Sequence, residues 1–147
     1  MVELTLKEAI DGHRKLWSWL ANETLERGRK VEKYKYFVKH EISYPNVPFE
    51  QCYCCEYVAQ NSLKGDCENC PLRWGSVACY RGRALFIKWK SEDNYIKAAK
   101  IAMQIANLPL KKRYAEQYEK ECREYMKSKA IPDSYKENMM NKFMEVK

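Results

Sequence analysis

Histidine is nearly absent from this sequence of 147 residues, where only His13 and His40 occur. So small a supply of imidazole leaves little for a histidine-based nuclease or hydrolase. The four aspartates, Asp11, Asp66, Asp93 and Asp133, are scattered and form no group suited to magnesium. There is no phosphate-binding P-loop, no G-x-S-x-G elbow and no dinucleotide glycine fingerprint. A zinc deaminase needs His-x-Glu upstream of Pro-Cys-x-x-Cys, whereas Glu41 follows His40 directly and no proline directly precedes either cysteine pair. Long apolar runs are missing as well, none approaching the roughly 18 residues that cross a bilayer. Residues 1–10 lack the charged, apolar and small-residue succession of a secretory signal. These absences lead to three expectations: no enzymatic activity, no membrane partner, and a reducing cytoplasm as the location.

What the sequence does contain is cysteine, in a telling arrangement. Cys52 and Cys55 form one C-x-x-C pair, Cys67 and Cys70 a second, and eleven residues with a Lys64-Gly65 turn signal separate them. Two such pairs, each on its own tight turn, can converge as a tetrahedral thiolate cage for one structural zinc ion per chain. The cage would be closed, with no open position for substrate or water. A redox reading of Cys67-Glu68-Asn69-Cys70 competes, but a second pair just upstream and the lack of a βαβ pattern argue against it. An odd total of seven cysteines also speaks against a disulfide scaffold. Cys54 could replace a neighbour as ligand, Cys79 could be a fifth thiol at the rim or a buried apolar residue, and Cys122 fits a helix core. His13 falls on an apolar helix face, where a core role outweighs metal ligation.

Charge is unevenly spread. The net formal charge is +7, divided as +3 over residues 1–40, −3 over 41–80 and +7 over 81–147. Four thiolates around a divalent ion would make the middle segment more negative still, so that segment is poorly suited to gripping phosphate. An anionic partner would have to be met by the flanking helices.

Periodicity predicts those helices. Thr5-x-x-Glu8 is a capping box, and Leu6, Ala9, Ile10, His13, Leu16, Trp17 and Leu20 lay one apolar stripe over about residues 5–25, ended by Gly28. A second helix is expected over 29–40 with Val31, Tyr34 and Val38 on its apolar face. Residues 84–89 read as a short strand or a helix start, and Ser91 as an N-cap. A stripe of Tyr95, Ile96, Ala99, Met103 and Ala106 runs up to Pro109. Helices over 111–129, with Tyr114, Tyr118, Cys122 and Tyr125 on one face, and after Asp133 complete the pattern. The expected fold is mainly α, one domain over 1–147: N-terminal helices (1–40), a small loop-rich four-cysteine zinc module (41–82) and C-terminal helices (83–147).

A resemblance rests on the succession His13, Leu16, Trp17, Trp19, then Cys52-x-x-Cys55-Glu56-Tyr57, Cys67-x-x-Cys70-Pro71-Leu72-x-Trp74, Cys79, Trp89 and Ile105-Ala106-Asn107-Leu108-Pro109. Over about residues 10–109 the chain resembles small zinc-binding proteins carried by bacteriophages and prophages of Gram-positive bacteria. Cys54 and the extension after Pro109 depart from that pattern. The resemblance implies a phage accessory protein that redirects or disarms machinery of a bacterial host.

Two binding readings follow. In the favoured one a host protein, part of a defence or nucleic-acid-processing system, is the partner, with Arg29, Lys30, Lys33 and Lys35 steering it and Trp74, expected in an exposed loop, as an anchor. In the alternative, Arg27, Arg29, Lys30, Lys33, Lys35 and Lys39 grip nucleic acid while Tyr34, Tyr36 and Phe37 stack on bases, assisted by Arg81, Arg83, Lys88 and Lys90.

Overall fold

The computed structural model describes residues 1–61, 69–74, 79 and 84–129. Among them six α-helices appear: α1 (Leu6–Arg27), α2 (Tyr34–Lys39), α3 (Tyr53–Gln60), α4 (Leu85–Ser91), α5 (Tyr95–Ala106) and α6 (Lys112–Lys129). A 3-10 turn at Phe49–Gln51 precedes α3, and the β pairing among the described residues is a single bridge between Leu72 and Leu110. The mainly α expectation is thus met. Residues 1–111 pack as one compact unit and residues 112–147 as a second. The first unit ends just beyond Pro109, where the motif succession also ends.

Helix α1 begins and ends where local chemistry dictates. Thr5 accepts the Glu8 amide at 3.1 Å and Glu8 Oε1 accepts the Thr5 amide at 3.0 Å, satisfying two donors at the helix start. Gly28 ends it in the left-handed region at φ 65°, which costs a glycine little. The buried face holds Leu6, Ala9, Ile10, His13, Leu16, Trp17 and Leu20 as expected, joined by Ala21 and Thr24.

The main partner of α1 is α5, which buries Ala98, Ala99, Ala102, Ile105 and Ala106. This seam corrects the expected stripe, since Ile96 is exposed while Ala98 and Ala102 are covered. Small side chains let two helix backbones approach closely, and α1 supplies the large ones. Asn94, not Ser91, caps α5, accepting the Lys97 amide at 3.0 Å. Ser91 instead closes α4, its hydroxyl donating to the Ile87 carbonyl at 2.9 Å.

Helix α2 is shorter than expected and turned the other way. Gly28 and the irregular chain after it delay its start, and Thr24 Oγ1 fixes that chain by accepting the Val31 amide at 3.1 Å. Tyr36 and Phe37 are buried, whereas Tyr34 and Val38 are exposed. A helix of six residues takes its orientation from what it meets, here the rings of Trp19 and Tyr53. The helix expected after Asp133 lies outside the described residues. On α6, Tyr114, Tyr118 and Cys122 are half-buried and Tyr125 is exposed, so Cys122 is not the core residue expected.

Candidate functional site

Two features emerge in the first unit: a corner rich in thiols and a basic groove. The corner starts from α3. Cys52 is the N-cap of that helix and Cys55 lies one turn on, its amide donating to Cys52 Sγ at 3.3 Å. The first pair therefore sits on a helix N-terminus, a setting that favours thiolate, and not in the loop expected. Gly12 on α1 makes room for this helix: a Cβ there would lie 2.8 Å from Cγ of Tyr53. Glu56 Oε1 accepts the Phe49 amide at 3.1 Å and so ties the preceding turn to the helix.

Cys70 reaches the same corner along a different route. Its segment is held by main-chain bonds from Arg73 N to Pro109 O at 2.9 Å and from Lys111 N to Pro71 O at 2.7 Å. These flank the Leu72–Leu110 bridge and fix the segment after Cys70 to the end of α5. Gln60 performs a similar task at the other end, accepting the Leu4 amide at 2.7 Å.

The thiols interact strongly. Cys54, fully buried, donates to Cys70, and this bond holds the Cys70 thiol down to about 6 despite burial, helped by the Leu72 amide, the Trp74 indole and the charge of Lys111. Donation by Cys55 lowers Cys52 in the same way, while the donors Cys54 and Cys55 are pushed up. Cys52 and Cys70 are thus each biased toward thiolate by a neighbouring thiol that donates to it. A divalent cation can take the place of such shared protons. Cys79 also acts electrostatically on Cys55, and both line a cavity of about 440 Å³ with Cys52, Trp74, Trp17 and Phe86. Among the described residues no three His, Cys, Asp or Glu side chains form a group that could hold a metal ion. Cys67, the fourth expected ligand, lies outside those residues.

Trp74 corrects an expectation. It is 7% exposed and packs edge-on to His13 at 5.9 Å, so it is unavailable as an exposed anchor. Among the described residues its Nε1 is the buried side-chain polar atom left without a hydrogen bond. The indole N–H falls short of bonding geometry toward Cys70 but its dipole still favours the thiolate there. A thiol donor set beside an orphaned N–H suits a centre that gathers negative sulfur. His13 is a core residue, as expected: Nε2 lies 2.8 Å from the Ile105 carbonyl, and burial lowers its pKa to about 4. His40 is exposed.

The expected partner-binding cations divide. Lys30 Nζ donates to the Trp89 and Lys90 carbonyls at 2.7 and 3.0 Å and covers the Trp89 ring. Lys33 Nζ donates to Glu50 O at 3.0 Å and lies over Phe86. Both hold the fold together. Arg29 and Lys35 remain exposed, with Lys35 over the Tyr34 ring. Arg27, Arg29, Lys30, Lys35 and Lys39, with one acid, Glu32, line a groove of about 450 Å³ between α1 and α2. Its apolar lining from Trp19, Val31 and Val38 was not legible in the sequence, because no local signal brings α1 against the chain after Gly28. Arg81 and Arg83 lie outside the described residues.

No family model, curated protein or solved structure matches this chain. The resemblance to phage proteins therefore stands on its motifs alone. No helix among the described residues is long and apolar enough to cross a membrane.

Proposed function

We propose that this is a non-enzymatic accessory protein of phage type, stapled by one structural zinc ion, that acts by binding a protein of a bacterial host's defence or nucleic-acid-processing systems. The gathering of thiols at the α3 N-terminus carries the zinc part of the reading. Cys52, Cys55 and Cys70 come from two separate segments and act on one another electrostatically; Cys67, outside the described residues, would be the fourth ligand of the cage. Bound zinc would hold the sulfurs as thiolates and clamp α3 to the segment after Cys70; it has no catalytic part.

A protein partner is favoured over nucleic acid by the fate of the cations and rings. Lys30, Lys33 and Arg27 are engaged by two sets of carbonyls and by Glu23, and Tyr36 and Phe37 are buried. Stacking of successive bases needs several exposed rings along a charged track. The test is affinity capture from a bacterial lysate before and after nuclease treatment, paired with elemental analysis. About one zinc per chain and a protein retained after nuclease are expected; metal-free protein refutes the staple, and capture that vanishes with nuclease promotes the nucleic-acid reading.

A further inference from the structure

We infer that the groove between α1 and α2 is the docking site for a short acidic segment of the partner protein, one that inserts an aliphatic or aromatic side chain between flanking carboxylates. The inference rests on the reading of this chain as a protein-binding accessory and names the surface and the chemistry involved.

The groove is a consequence of the Gly28 stop. Had α1 run on, or α2 begun at once, residues 29–33 would lie on a helix; instead an irregular segment joins the two helices. Val31 forms part of the floor and is held by Thr24. Val38, 69% exposed, and Tyr34, 49%, also line the groove. Trp19, half-buried, completes an apolar strip able to receive one side chain.

Cations surround that strip. Five basic side chains line the groove against the single acid Glu32. Two of the five are occupied, Arg27 by Glu23 at 2.6 Å and Lys30 by main-chain carbonyls. Arg29, Lys35 and Lys39 make no ion pair among the described residues, and each is exposed. Three uncompensated cations around an apolar strip are complementary to carboxylates around an apolar anchor.

Size and ring supply choose the occupant. A groove of about 450 Å³ accommodates a few residues of peptide, not a long phosphate track. Tyr34 and Trp19 are the aromatic residues in its lining, too few to stack a run of bases. An acidic peptide satisfies both the charges and the apolar strip; a nucleic acid satisfies only the charges.

The experiment probes the full chain with an array of ten-residue peptides rich in Asp and Glu, each carrying Leu, Phe, Tyr or Trp at a varied position. Matched peptides have the acids replaced by glutamine, and a fluorescein-labelled oligothymidine serves as the nucleic-acid arm. Binding should concentrate on acidic peptides with an apolar residue and weaken about tenfold or more in the K35E/K39E double variant. Val38→Ser should weaken it about threefold, and Lys120→Glu on α6 should leave it unchanged. These positions are exposed, so thermal melts should stay close to those of the parent protein. A blank array, equal binding of the glutamine peptides, or tighter binding of oligothymidine lost in the same double variant would each overturn the assignment. If K35E/K39E still retains a nuclease-resistant protein from lysate, the groove is refuted while protein binding stands; if the parent protein retains none, protein binding itself is refuted.

Discussion

The α1–α5 seam and the thiol corner differ in what burial brings together: mainly apolar side chains at the seam, apolar side chains and sulfur at the corner. The seam is a large apolar area closed by alanines against Leu, Ile and Trp, with a polar tie from His13 to Ile105. The corner buries Tyr57, Val58, Leu72 and Trp74, and adds to them main-chain bonds and a set of mutually interacting thiols. Burial alone can sustain the seam, at about 25 cal/mol per Å² of apolar surface. In the proposed reading the corner's sulfurs would be neutralised by zinc. The difference teaches that stability and metal content should be separable at one region and inseparable at the other.

The comparison breaks most visibly at Cys55. Cys55→Ser should abolish zinc retention and unfold the corner, since apparent structural zinc binding runs to about 10 kcal/mol or more. Elemental analysis and a thermal melt read this together, and unchanged zinc with an unchanged melt would erase the distinction. Leu16→Ala tests the other side: it should cost about 2–5 kcal/mol in denaturant unfolding while zinc per chain stays at the parent value. Loss of zinc in that variant would show the two regions to be one cooperative system.

His13 sharpens the seam by pH. Burial lowers its pKa from 6.5 to about 4, so the unfolded chain binds the proton more readily than the folded one. The stabilising contribution is complete above pH 6.5, declines as pH falls toward 4 and is gone below it, on the order of 3 kcal/mol in all. Denaturant midpoints measured between pH 7 and pH 4 should drop in the parent protein and drop less in His13→Gln. An equal drop in both would assign the slope to other groups.

Gly12 joins the two regions. Alanine there gains about 1 kcal/mol in helix propensity but places its Cβ 2.8 Å from the Tyr53 ring, an overpacking cost of about 1–3 kcal/mol. A net loss of about 1 kcal/mol is expected from denaturant melts, and a gain would mean that Tyr53 yields freely. Smallest of all is Cys122→Ser, half-buried on α6, which should move the midpoint by less than about 0.5 kcal/mol.

Where the signals are local, the sequence suffices. The limits of α1 follow from Thr5, Glu8 and Gly28, each acting within a turn of itself, and the proximity of Cys52 to Cys55 follows from their spacing on a helix start. Tertiary choices were not legible. Nothing near Trp74 announces that His13 and Cys70 cover it, and nothing near Lys30 or Lys33 announces the carbonyls that hold them. The face of α2 was misread because two valines and a tyrosine keep helical spacing there, yet Trp19 and Tyr53 select Tyr36 and Phe37.

The pairing of residues 71–73 with 109–111 carries one more consequence. The Arg73 and Lys111 amides donate to partners 36 and 40 positions away, and neither lies in a helix. Deuterium uptake at these two sites therefore serves as a built-in gauge of the assembled corner. Slow exchange there with metal and rapid exchange after chelation, against steady protection in α1 and α5, would report local opening without global unfolding.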